Sequence, residues 1–111
     1  MIGSTEHNEQ VGFINWFHQK FPGVLIFAIP KGGARHIHTA IALRDEGVVQ
    51  GIPDLFVPEW KLWIEMKRMR GGVVSKEQEK IISYLLHIGY TVIIGKGAGD
   101  ASAQVLKFRE T

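Results

Sequence analysis

Apolar positions recur along this chain with two periods, and the switches between them mark its elements. Val11, Phe13, Ile14 and Phe17 fall at helical spacing. Thr5, followed by Glu6 and Glu9, offers a helix start with acids in the first turn, and Pro22-Gly23 predicts a stop near Lys20. Val24 to Ile29 is an unbroken apolar run of strand length that ends at Pro30, and Gly32-Gly33 then opens a turn or loop. A second helix is expected from about Ala34 to Glu46, closed by Gly47. Gly51 to Val57 reads as a strand, Pro58-Glu59 as a tight turn, and Trp60 to Lys67 as the next strand. After the loop at Arg70-Gly71-Gly72, Ser75-x-x-Gln78 has the form of a capping box. Ile81, Ile82, Leu85, Leu86 and Ile88 follow at helical spacing, with Gly89 as a C-terminal cap. Tyr90 to Ile94 is a β-branched strand, and a last helix is expected from roughly Asp100 to Arg109. The order α-β-α-β-β-α-β-α predicts an α/β fold, a mixed sheet of about four strands flanked by helices.

Composition narrows this picture without naming a task. At 111 residues, 45% hydrophobic and 22% charged, residues 1–111 are expected to form a single soluble domain. No apolar run approaches the roughly 20 residues of a membrane span. The N-terminus is polar and lacks a signal-peptide core. Cysteine is absent, which excludes disulfides and thiolate metal sites and fits a cytoplasmic setting. A net charge of +2 does not identify a nucleic-acid partner. The placement of charge says more, because Lys61, Lys67, Arg68, Arg70, Lys76 and Lys80 gather around the acids described next.

Two strand-like runs carry those acids. Asp54 follows Pro53 at the head of one, and Glu65-Met66-Lys67 closes the other. Residues i and i+2 share a face of a strand, so Glu65 and Lys67 project together while Met66 lies with Ile64 and Leu62 on the other side. If the two runs are neighbours, Asp54 sits beside Glu65. Two carboxylates and an ammonium on one patch of sheet can hold a divalent metal and position a water, which is the equipment for phosphodiester cleavage.

Each of these residues also has a plainer reading. Asp54 can be a turn residue after proline. Glu65 and Lys67 can pair on the exposed face of an edge strand, although both types are depleted in strands. Gln78 can do no more than complete the capping box. Glu6 can simply complement the helix dipole, and Gln10 lies on its face four residues on. His36 and His38 lead from a Gly-Gly turn into a helix, where residues two apart do not meet, so no zinc site is expected. Lys31 and Arg35 suit phosphate contact, with Gly32-Gly33 allowing close backbone approach. Gly95-Lys96-Gly97-x-Gly99 lacks the spacing of a Walker motif, so no nucleotide cofactor is expected. Trp16, Trp60 and Trp63 are assigned to the core or an interface rather than to base stacking.

Taken together, the motifs resemble the PD-(D/E)xK nuclease superfamily and, more narrowly, the VRR-NUC family of virus-type replication-repair nucleases in a stand-alone, phage-like form. The resemblance runs from Glu6-x-x-x-Gln10 through Lys31-Gly-Gly-x-Arg35 and Gly47-x-x-x-Gly51-Ile52-Pro53-Asp54-Leu55. It continues with Trp63-Ile64-Glu65-Met66-Lys67, Ser75-x-x-Gln78 and Gly89-Tyr90-x-Val92. It implies a restriction-endonuclease-like core. It implies Asp54 and Glu65 as metal ligands helped by the backbone carbonyl of Met66, and Glu6 ligating directly or through water. It places Lys67 and Gln78 among the catalytic groups, with Gln78 holding Lys67, water or phosphate. Hard oxygen donors without cysteine suit Mg²⁺ or Mn²⁺. Because two carboxylates favour the charged form of a neighbouring ammonium, Lys67 is assigned to positioning and charge stabilisation rather than to a general base.

The expectation is a Mg²⁺- or Mn²⁺-dependent endodeoxyribonuclease acting on structured or branched DNA, of the Holliday-junction-resolving type. Lys31, Arg35, Arg68, Arg70 and Lys76 are expected on DNA. A homodimer matches the two symmetric strands of a junction. The rival is a non-catalytic binding module for branched or damaged DNA, which leaves unexplained why acids face an anionic ligand. A protein-interaction domain comes third, and DNA affinity that hardly changes with salt would favour it.

Overall fold

The computed structural model describes residues 5–30 and 37–110, the side chains of 37 and 38 excepted. The elements are α1 (Glu6–Lys20), β1 (Phe27–Ala28), α2 (Ile37–Asp45), β2 (Leu55–Val57), β3 (Leu62–Lys67), α3 (Lys76–His87), β4 (Thr91–Lys96) and α4 (Ala98–Glu110), with a 3-10 turn at Pro58–Trp60. The sheet order is β1-β2-β3-β4. The first two pairings are antiparallel and β3 lies parallel to β4, across the α3 crossover. The expected α/β class, element order and mixed four-stranded sheet are all present.

Local chemistry accounts for most boundaries. The Thr5 side chain accepts from Asn8 N at 3.1 Å and starts α1. Phe13 and Phe17, one turn apart, are buried against the sheet. Leu62, Ile64 and Met66 point the same way from β3 and are fully buried with Leu55, Val57, Ala101 and Val105. This core therefore lies between α1, α4 and one face of the sheet. An aromatic layer closes its end, where Phe21 stands edge-on to Trp60 at 4.9 Å and Phe17 lies 5.4 Å from Trp60. The opposite face of β3 carries Trp63, Glu65 and Lys67, and α3 packs on that sheet beside β4.

The structure shortens several expected elements. Within the run from Val24 to Ile29 the strand itself is only Phe27–Ala28, although the Ile29 N–H also donates to the Asp54 carbonyl at 2.8 Å; its neighbour β2 is three residues long and turns away at Pro58. Ile26, just outside the strand, still reaches the core. The strand expected from Gly51 begins at Leu55 instead, since Gly51 takes a positive φ and Pro53 has no N–H to donate. β3 begins at Leu62, after Lys61 adopts left-handed backbone to end the 3-10 turn. Val11, expected on the apolar stripe of α1, is 46% exposed, because Phe13 and Phe17 set the buried face and Val11 lies well around the helix from Phe13. Helix α4 starts at Ala98, before Asp100, because Glu9 Oε1 accepts the Ala98 N–H at 2.7 Å and caps it from α1.

Candidate active site

The β2–β3 ladder pairs Leu55 with Ile64, and one further step of that register sets Asp54 opposite Glu65. Their side chains therefore share a face. Asp54 Oδ2 accepts the Met66 N–H at 2.7 Å, so the acid takes the place of a backbone partner where β2 ends. The N–H and C=O of a strand residue point to the same edge, which aims the Met66 carbonyl towards Asp54 as well. Glu65 is 1% exposed and Lys67 7%. An exposed, edge-strand pairing of these two is thereby excluded, since β3 is an interior strand. The carboxylate is held by charge-assisted contacts: Lys67 Nζ lies 3.3 Å and Gln78 Nε2 2.8 Å from the same oxygen, Oε2.

Gln78 reaches Glu65 from the first turn of α3, and it completes the capping box too. Its Oε1 accepts Ser75 N at 2.9 Å and its own N–H donates to Ser75 Oγ at 3.1 Å. The cap and the site contact, weighed as alternatives in the sequence, coexist. That turn rests on Gly51. A Cβ there would stand 2.6 Å from the Glu77 carbonyl oxygen, and φ is +90°. Gly51 thus fixes α3 to the segment that delivers Asp54. Gly51→Ala is expected to cost about 2–3 kcal/mol, read as a lower urea midpoint at unchanged slope, through backbone strain added to steric conflict.

Asp54, Glu65, Gln78 and Glu6 line one hollow of about 870 Å³, whose other wall is apolar and includes Ile29, Leu43, Val48 and Ile52. Glu6, the first residue of α1, is exposed at this hollow. Among the described residues no three of His, Cys, Asp or Glu converge closely enough to enclose an ion. Glu6 therefore shares the hollow with Asp54 and Glu65 without forming a closed three-acid cluster with them. Gln10 instead lines a separate hollow of about 180 Å³ with His7, Val11, Ile14 and Asn15. Arg68, Arg70 and Lys76 are exposed, at the end of β3 and the start of α3. Lys31 and Arg35 lie outside the described residues, as does His36.

The donor set fits a hard divalent cation. It offers two carboxylates on one face and a carbonyl directed beside them, all oxygen, with no thiolate in the chain. Mg²⁺ commonly binds through one or two carboxylates and keeps several waters, so two acids suffice. Two contributors were not evident from local sequence. Gly51 read as the start of a strand, although a glycine inside a strand-like run, three residues before Asp54, is also the signal of a close backbone approach. Glu9 read only as a first-turn acid, and its cap on α4 depends on a contact 89 residues away in the chain.

No family model matches the sequence, and neither does any curated protein. A solved structure does match. It is described as a VRR_NUC domain protein, with a TM-score of 0.80 and 26% identity over 96% of this chain and 89% of that one.

Proposed function

We propose that this chain, which has the VRR-NUC fold, is a single-domain Mg²⁺- or Mn²⁺-dependent endonuclease that hydrolyses phosphodiester bonds in structured or branched DNA. The observation that carries the reading is the convergence of Asp54, Glu65, Lys67 and Gln78, where a buried acid, Glu65, and a half-buried one, Asp54, are held in place on the wall of an open hollow. Burying a carboxylate as deeply as Glu65 costs several kcal/mol that an inert core would avoid. A site that must hold a cation has reason to retain it.

In this reading Asp54 and Glu65 would hold the ion, with the Met66 carbonyl beside them and Glu6 contributing directly or through water. The bound ion supplies Lewis-acid charge and lowers the pKa of a coordinated water. Lys67 keeps positive charge next to the phosphate and positions the attacking water. Gln78 fixes the Glu65 carboxylate. Arg68, Arg70 and Lys76, with Lys31 and Arg35, contact the DNA backbone and set register rather than sequence. A homodimer would present two sites to a junction. Among the described residues no helix is long and apolar enough to cross a membrane. A cytoplasmic setting and a phage-type role in DNA repair accord with this reading.

The test is cleavage of matched single-stranded, duplex, flap and four-way-junction DNA with Mg²⁺, Mn²⁺ or chelator. Metal-dependent cutting that favours branched substrates is expected. Binding to branched DNA without cleavage under any metal would instead establish the non-catalytic module. Sedimentation at micromolar protein should give a dimer, and a monomer would remove the junction-resolving form of the proposal.

A further inference from the structure

We propose that Ser75 is a positioning residue for the Glu65 carboxylate, acting through the Gln78 amide; this rests on the metal-binding reading above. One amide joins the helix cap to the acid. Ser75 N donates to Gln78 Oε1 at 2.9 Å, and Gln78 Nε2 donates to Glu65 Oε2 at 2.8 Å. A backbone N–H can only donate and an ionised carboxylate can only accept, so one orientation of the amide satisfies both ends. Turning it over would break both bonds and set oxygen against oxygen.

The terminal torsion of a glutamine is ordinarily broad. Here it is fixed from behind. The second bond of the box, Gln78 N to Ser75 Oγ, holds the turn, and Gly51 seats the same turn against the Asp54 segment. Lys67 Nζ reaches the same oxygen as Gln78, so two donors on Oε2 define how the carboxylate is rotated in the hollow. A box that served the helix alone would be equally well completed by glutamate. Glutamine is the residue that accepts from the cap and still donates onward to an acid. The start of α3 is therefore part of the support of the site, and Ser75 contributes through its backbone N–H more than through its hydroxyl.

Two substitutions separate those contributions. Ser75→Ala removes the hydroxyl and keeps the N–H. Ser75→Pro removes both, and the backbone at this position, φ −78° and ψ 168°, is one proline adopts. Mn²⁺ binding to the full chain is measured by calorimetry, alongside Tm and hydrogen exchange of the ¹⁵N-labelled Gln78 side-chain amide. We expect the proline variant to bind Mn²⁺ at least about fivefold more weakly than the alanine variant. Its Gln78 amide should exchange faster, with little difference in Tm between the two. Equal Mn²⁺ affinity and equal amide exchange in the two variants would overturn the proposal. If the proline variant fails to fold, wild type decides: the Gln78 amide should exchange more slowly than that of exposed Gln19, and equal rates would overturn the inference. A wild-type chain that takes up no Mn²⁺ overturns the metal reading instead, and amide exchange then still decides the clamp.

Discussion

Asp54→Asn is expected to leave the fold intact while reducing metal-dependent cleavage by about 10³-fold. The two effects separate because the residue does two things with different chemical needs. Its Oδ2 accepts the Met66 N–H, and an asparagine carbonyl accepts that bond equally well. Holding a divalent ion requires the negative charge, which asparagine lacks. The substitution also removes a like-charge neighbour of Glu65, so stability should hold or rise by up to about 1 kcal/mol. Higher stability together with lost activity marks a residue retained for chemistry rather than for folding. Urea unfolding and a cleavage time course on one preparation give both numbers. Cleavage at the wild-type rate would remove Asp54 from the site. A large loss of stability would show that the bond to Met66 needs the charge.

Much of this arrangement is legible in the sequence, and the reason lies in strand periodicity. Leu62, Ile64 and Met66 alternate with Trp63, Glu65 and Lys67, so the division between core face and site face follows from spacing alone. A short connection between two such runs makes them antiparallel neighbours, and that places Asp54 near Glu65. The Ser75-x-x-Gln78 spacing likewise announces the start of α3. Contacts made between distant segments are less legible. Pairing length depends on the partner strand, so the apolar run at 24–29 exceeds the two-residue β1 that forms within it. The capping of Ala98 by Glu9 and the seating of α3 on Gly51 join residues that nothing local links. Glu6 marks the same boundary, because its helix is predictable but its distance from the two β-strand acids depends on how α1 docks.

Lys67→Met is expected to lower stability by about 3–5 kcal/mol, and adding Glu65→Gln should restore much of that loss. The Lys67 and Glu65 side chains are 8% and 1% exposed, with 3.3 Å between Nζ and Oε2. Removing the ammonium alone strands a carboxylate out of water with the Gln78 donor remaining, and removing the carboxylate alone strands the ammonium. Removing both leaves a neutral amide beside a thioether of similar length, so the double-mutant cycle should return a coupling of about 2–3 kcal/mol. The same variants separate holding a metal from using it. Lys67→Met keeps both acids and loses a cation beside them, so added Mg²⁺ should stabilise it more than wild type, by the linkage of binding to folding. Glu65→Gln should gain little from Mg²⁺. Cleavage should nevertheless fall by about 10²–10³-fold in Lys67→Met, because the charge it supplies next to the phosphate is gone although the ion is retained. Unfolding curves with and without Mg²⁺, set beside cleavage rates, test each step. If Mg²⁺ stabilises Lys67→Met no more than Glu65→Gln, the carboxylates do not bind the ion. If Lys67→Met cuts DNA as wild type does, the ammonium serves only to neutralise a buried acid.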